Sequence, residues 1–77
     1  MVKELDTVVL AQDLPQYRLK TGDIGTVVLL HDGRGYEVEF VTLDGETLGI
    51  VSLRPEQIRP VGQREIAQAR RIEASAT

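Results

Sequence analysis

The chain has no cysteine, one histidine, only three aromatic residues, and no apolar run approaching the roughly 20 residues of a membrane-spanning helix. Each shortage removes a class of function. Without cysteine there is neither a disulfide framework nor a thiolate metal site, a composition that fits a reducing, cytoplasmic address. Tyr17, Tyr36 and Phe40 are too few to build a stacking platform for nucleic-acid bases. The opening residues, MVKELDTVVLAQDLP, do not form a signal peptide, because Glu4 and Asp6 interrupt the required layout. At 77 residues the chain allows one domain, near the lower limit of what one core sustains without staples.

What is present is acidic and strongly patterned. The net charge is −3, and it is unevenly spread: residues 1–61 hold six basic and ten acidic groups, residues 62–77 three and two. A body at −4 repels a phosphate backbone, whereas nucleic-acid modules present a basic face that releases counterions. Such a body stays soluble and is steered toward basic partners.

The patterning is that of short strands. DTVVLAQ (6–12) is β-branched and apolar, and DLPQYRLK (13–20) is a long excursion carrying Pro15. TGDIG (21–25) has two glycines that let the chain reverse into TVVLLH (26–31). DGRG (32–35) is a hairpin turn. YEVEFVT (36–42) alternates, with Tyr36, Val38 and Phe40 on one face and Glu37 and Glu39 on the other. LDGE (43–46) carries the Asp-Gly hairpin signal, and TLGIVSL (47–53) follows it. In RPEQIRPV (54–61), Pro55 opens a 3₁₀ turn, and Ile58 and Val61 return as a last strand that tolerates Pro60 only at an edge. The expectation is an all-β chain: a small five-stranded antiparallel SH3-like barrel over residues 1–61. Its inward set is Val8, Leu10, Val28, Leu30, Val38, Phe40, Ile50 and Ile58, with either parity open in the first two strands.

Four blocks, KELDTVVLAQDLP, LKTGDIGTVV, YEVEFVTLDGET and LRPEQIRPV, resemble a family of short bacterial proteins known only as a domain of unknown function. The resemblance covers residues 2–61 and implies the SH3-like fold and a bacterial origin, but transfers no catalytic residue. GDIGTVV alone is less specific, being similar to glycine turns in KOW segments and in the barrel of the nitrile hydratase β subunit.

Residues 62–77, GQREIAQARRIEASAT, are composed of helix formers after a break at Gly62. A short, partly frayed helix or flexible tail is expected, because Ile66 and Ile72 lie roughly 120° apart on a helix and give it a poor apolar face. The alternative is that Ile66, Ala69 and Ile72 dock on the barrel or on another chain.

No residue pattern makes an enzyme. His31 beside Asp32 has the composition of a general base, but no nucleophile accompanies it, and an exposed turn is the simpler reading. Asp44 and Glu46 are explained by their turn, and Glu37 and Glu39 by a solvated strand face. Neither GDIG nor GRG is a phosphate loop, since no helix follows. No cofactor and no metal are expected. Two features point to binding instead. The long loop carries Tyr17 and Arg18, residue types enriched at interface hot spots, although Tyr17 folding back to close one barrel end is an equal alternative. In addition, VVL (8–10) and VVLL (27–30) are apolar on both faces, so the tail, a second protomer or a partner must cover the outer set.

The composite reading is a non-enzymatic, cytoplasmic protein-binding module, of the accessory, antitoxin or immunity type, contacting its partner through Tyr17 and Arg18. A KOW-like RNA-binding module and a barrel subunit of a larger enzyme complex are the alternatives. The acidity separates the first two. In a gel-shift titration with single-stranded and duplex RNA, binding should be weak and vanish as salt is raised. Submicromolar binding that persists at physiological salt would establish the RNA reading.

Overall fold

The alternating stretch at 36–41 forms the strand against which the others are registered. The computed structural model describes residues 2–32 and 34–72. Five strands are present: β1 (Thr7–Leu10), β2 (Ile24–Leu30), β3 (Tyr36–Val41), β4 (Thr47–Leu53) and β5 (Ile58–Pro60). They form one antiparallel sheet in the order β4-β3-β2-β1-β5. The all-β expectation holds, with a 3₁₀ turn at Pro55–Gln57 before the last strand. Closure does not: β4 and β5 are the two edges of an open sheet, and no ladder joins them among the described residues. Pro60 lies on edge strand β5, where its missing N–H disrupts no interior ladder.

The strand registers correct the expected inward set. Val8, Leu10, Val38, Phe40 and Ile58 are in the core as read from the sequence. Val28, Leu30 and Ile50 are not. The β2–β3 ladder pairs Val27 with Val38 and then Leu29 with Glu37, so Val28 is the bulged residue and Val27 takes the buried place. Leu30 falls opposite Tyr36 at the strand end, too near the rim to be covered. On β4 the ladder sets Gly49, Val51 and Leu53 opposite Phe40, Val38 and Tyr36. Ile50 then faces outward opposite Glu39 and is 58% exposed. A hairpin closed at Asp44-Gly45 already sets Ile50 opposite Glu39; the slip lies nearer the turn and displaces Leu48 alone. Thr42 N–H donates to the Glu46 carbonyl (2.8 Å) and Gly45 N–H to the Thr42 carbonyl (3.0 Å), a longer loop than the two-residue hairpin of the Asp-Gly signal.

Close approach of β2 to β3 depends on Gly25. A Cβ there would lie 2.6 Å from Val38 Cγ1 and 2.9 Å from Phe40 Cε1, so only glycine lets the Phe40 ring lie against the start of β2. The long loop adds the rest of the core. Leu14 and Leu19 pair through both backbone groups (2.9 and 3.1 Å) and are buried with the strand residues.

The apolar surplus of the first two strands is only partly covered. Val9 is buried, while Leu29 and Leu30 are exposed. The tail does not lie over them. Residues 62–72 contain no helix; Arg64 takes a φ of +60°, incompatible with a continuing helix, and Ile66 is 94% exposed rather than docked. The expected extension of the tail over residues 73–77 lies outside the described residues.

The register makes a paired test. Phe40→Ala should lower the unfolding free energy by about 3–5 kcal/mol, whereas Ile50→Ala should stay within about 0.5 kcal/mol of wild type. Urea titration of the two variants measures both. Equal losses would mean that β4 has the opposite parity.

Candidate functional site

The loop at 13–23 is built as a rigid platform. Pro15 starts a 3₁₀ turn, Pro15–Tyr17, where its fixed φ fits and its absent N–H is not needed. Arg18 ends that turn in the left-handed region, donating its N–H to the Pro15 carbonyl (3.0 Å). At the loop's base, Asp13 accepts both the N–H and the hydroxyl of Thr21 (2.9 Å each). Gly22, with φ +98°, donates to the Leu10 carbonyl, and Leu10 N–H donates to the Asp23 carbonyl (2.8 Å each). The Asp23 carboxylate accepts the Lys20 N–H (2.8 Å).

This construction decides where Tyr17 goes. Leu14 and Leu19 fill the space beneath the loop, and Tyr17 stands outside it, 52% exposed. Tyr17 is therefore not the plug. Tyr17 and Arg18 line one wall of a cleft of about 360 Å³ whose other wall is Leu48, Gly49 and Ile50 of edge strand β4. Leu48 and Ile50 are themselves exposed, so an apolar floor lies beside an aromatic ring and a guanidinium.

A second cleft, of about 640 Å³, adjoins the first and shares Leu19, Phe40 and Leu48 with it. Its far wall is the tail, from Ala67 to Arg70 with Ile72. Arg70 grips Asp23 through Nε to Oδ1 (2.8 Å) and Nη2 to Oδ2 (2.6 Å), and Nη2 also donates to the Arg18 carbonyl (3.0 Å). Burial of the Asp23 carboxylate opposes its ionisation. The Arg70 and Lys20 hydrogen bonds and the charges of both residues outweigh that, holding Asp23 below the usual carboxylate range. A second ion pair fixes the start of the tail: Arg59 binds Glu65 through both terminal nitrogens (2.8 Å each), and Gly62 N–H donates to the same carboxylate.

The remaining polar candidates are tied into local hydrogen bonds. His31 contacts Glu37 through Nε2 (2.6 Å) rather than Asp32, and Ser52 donates its hydroxyl to the same Glu37 oxygen (2.6 Å). The hydroxyl and the imidazole thus meet at one carboxylate. The Ser52 and His31 hydrogen bonds hold Glu37 below the usual range. Asp44 is bonded by the Thr42 hydroxyl inside its turn, and Glu39 accepts the Thr47 hydroxyl (3.1 Å). No cluster of three or more metal-ligating acidic or histidine side chains occurs among the described residues. No helix among them is long and apolar enough to cross a membrane.

Sequence reasoning singled out Tyr17 and Arg18, and the structure places them beside β4. It did not single out Leu48, displaced at the register slip, nor place Ile50 on the outer face, nor pair Asp23 with Arg70, which lie 47 residues apart. Compared with known proteins, residues 4–60 match a family described as a domain of unknown function, DUF4926. No curated protein and no solved structure gives a significant match.

The tail clasp has an acid signature. Arg59 hydrogen bonding, with the Gly62 N–H second, lowers the Glu65 carboxyl from 4.5 to about 2. A carboxyl depressed on folding contributes stability that is complete above its unfolded value, here about 4.5, and that is lost as pH falls toward 2. Glu65→Gln should therefore be less stable than wild type at neutral pH, modestly because the pair is partly exposed, and the gap should close between pH 4.5 and 2. Thermal melts across that range measure it; a gap independent of pH would show that the clasp does not form.

Proposed function

We propose a function for a chain that belongs to the DUF4926 family, whose description assigns none: a protein-binding module that holds its partner across the Tyr17–Arg18 loop and edge strand β4. One observation carries this reading. A half-exposed tyrosine is held outward on a rigid, proline-started turn, with the space behind it already filled by Leu14 and Leu19. A loop ordered by buried leucines displays its aromatic residue at little entropic cost, which is the character of an interface anchor. Beside it, Leu48 and Ile50 supply exposed apolar surface on a strand whose outer edge has no ladder among the described residues. An edge of this kind also offers backbone groups to an incoming extended segment.

The body charge of −4 over residues 1–61 favours a basic partner. We read the bent, bulged sheet as an SH3-like barrel left open between β4 and β5, and the protein as a cytoplasmic accessory, antitoxin or immunity-type partner of another bacterial protein.

Tyr17→Ala with Arg18→Glu should leave the melting temperature within a few degrees of wild type, since neither side chain is in the core. Immobilised wild-type protein should retain a partner from lysate of the source organism. With that partner purified, the double variant should bind about 2 kcal/mol more weakly, roughly 30-fold in Kd. Unchanged affinity would place the interface elsewhere; unfolding of the variant would make the loop a structural element and remove it as the site.

A further inference from the structure

The second cleft holds a segment of the chain in the manner of a bound peptide. Residues 67–72 cross it without helix or strand structure, so almost nothing but side chains holds them there. Arg70 enters a seat made by two acceptors, the Asp23 carboxylate and the Arg18 carbonyl. The carboxylate is 16% exposed and the guanidinium 31%, the best shielded of the ion pairs among the described residues. Two residues on, Ile72 is half-buried against the same cleft. The receiving wall is apolar, with Ile24, Val41, Leu43 and Leu48, and its rim is acidic, with Asp44 and Glu46 beside Asp23. All four of those apolar residues stay exposed with the tail in place, from 41% at Leu48 to 92% at Leu43, so the tail underfills the seat.

We propose that this cleft is a second recognition site, for an extended segment of a partner protein carrying an arginine followed two positions later by an aliphatic residue, and that the chain's own residues 67–72 occupy it until such a segment displaces them. The seat is bidentate and planar, which selects arginine over lysine. The acidic rim favours a basic segment, and the uncovered Ile24, Val41, Leu43 and Leu48 leave room for one with larger apolar side chains than Ala67 and Ala69. An intramolecular occupant of weak intrinsic affinity competes at an effective concentration of about 1 mM, so a ligand must exceed the tail's contacts to enter. The site rests on the protein-binding reading but not on the Tyr17 cleft, and the two can fail separately.

The probe is a synthetic peptide of residues 66–73, IAQARRIE, blocked at both ends and labelled at its N-terminus. By fluorescence anisotropy the full-length Arg70→Ala chain, whose own tail has lost its grip, should bind it at least tenfold more tightly than wild type. Adding Asp23→Asn should reverse that gain, while Tyr17→Ala with Arg18→Glu should not. A peptide with alanine at the position of Arg70, or with lysine there, should bind at least tenfold more weakly. Independently of any variant, excess peptide added to isotopically labelled wild type should shift the tail resonances of Arg70 and Ile72 toward those of a released segment. Equal binding by wild type and Arg70→Ala, binding indifferent to Asp23 or to the peptide arginine, or tail resonances unmoved at saturating peptide would each overturn the proposal. A normal peptide result with an unaffected Tyr17 variant would sustain this site while removing the other.

Discussion

Asp23 joins three stretches of chain that are distant in sequence. Its carbonyl accepts the Leu10 N–H, its carboxylate accepts the Lys20 N–H, and the same carboxylate receives Arg70. The first bond extends the β1–β2 pairing beyond the strand ends, the second closes the long loop, and the third holds the tail. Gly22 makes this geometry available, because its φ of +98° turns the chain so that residues 22 and 23 both face Leu10. A largely buried carboxylate needs such partners. Arg70 supplies the two side-chain donors to that carboxylate, which is why the tail, though irregular, is not a bystander.

From that turn the two clefts follow. With the base of the loop held by Asp13, Gly22 and Asp23, Leu14 and Leu19 are pressed into the core and the Pro15–Tyr17 turn is pushed outward. One side of the raised loop faces β4 and makes the Tyr17 cleft; the other side, at the Arg18 carbonyl, makes the arginine seat. Phe40 lies under both and reaches β2 only because Gly25 has no side chain to obstruct it. Core and surface are thus joined through a few residues, and small domains have little stability to spare when such residues change.

The sequence made some of this legible and hid the rest for physical reasons. Strand 36–41 was readable because alternation is a local signal, and the 3₁₀ turn because Pro55 marks it. The inward face of β2 was not, because one bulge at Val28 exchanges the two faces of a strand without altering its composition; that of β4 was legible from the Asp-Gly hairpin, whose register sets Ile50 opposite Glu39. The open edge between β4 and β5 was also hidden, since closure depends on long-range geometry. Of the candidate site, Tyr17 and Arg18 were visible as residue types. Their outward placement was not, because it depends on Leu14 and Leu19 taking the interior first. The helical propensity of the tail is not realised over residues 62–72, where a left-handed Arg64 and two ion pairs to the body override it.

The most direct test of this account is amide hydrogen exchange, followed residue by residue, on wild type and on Asp23→Ala. If Asp23 is the junction described, the variant should lose protection at Lys20 and Gly22 and lose the tail's ordered resonances around Arg70, while Val38, Phe40 and Val51 keep theirs. Unchanged protection at Lys20 with an ordered tail, or a uniform loss across β3 and β4, would contradict it.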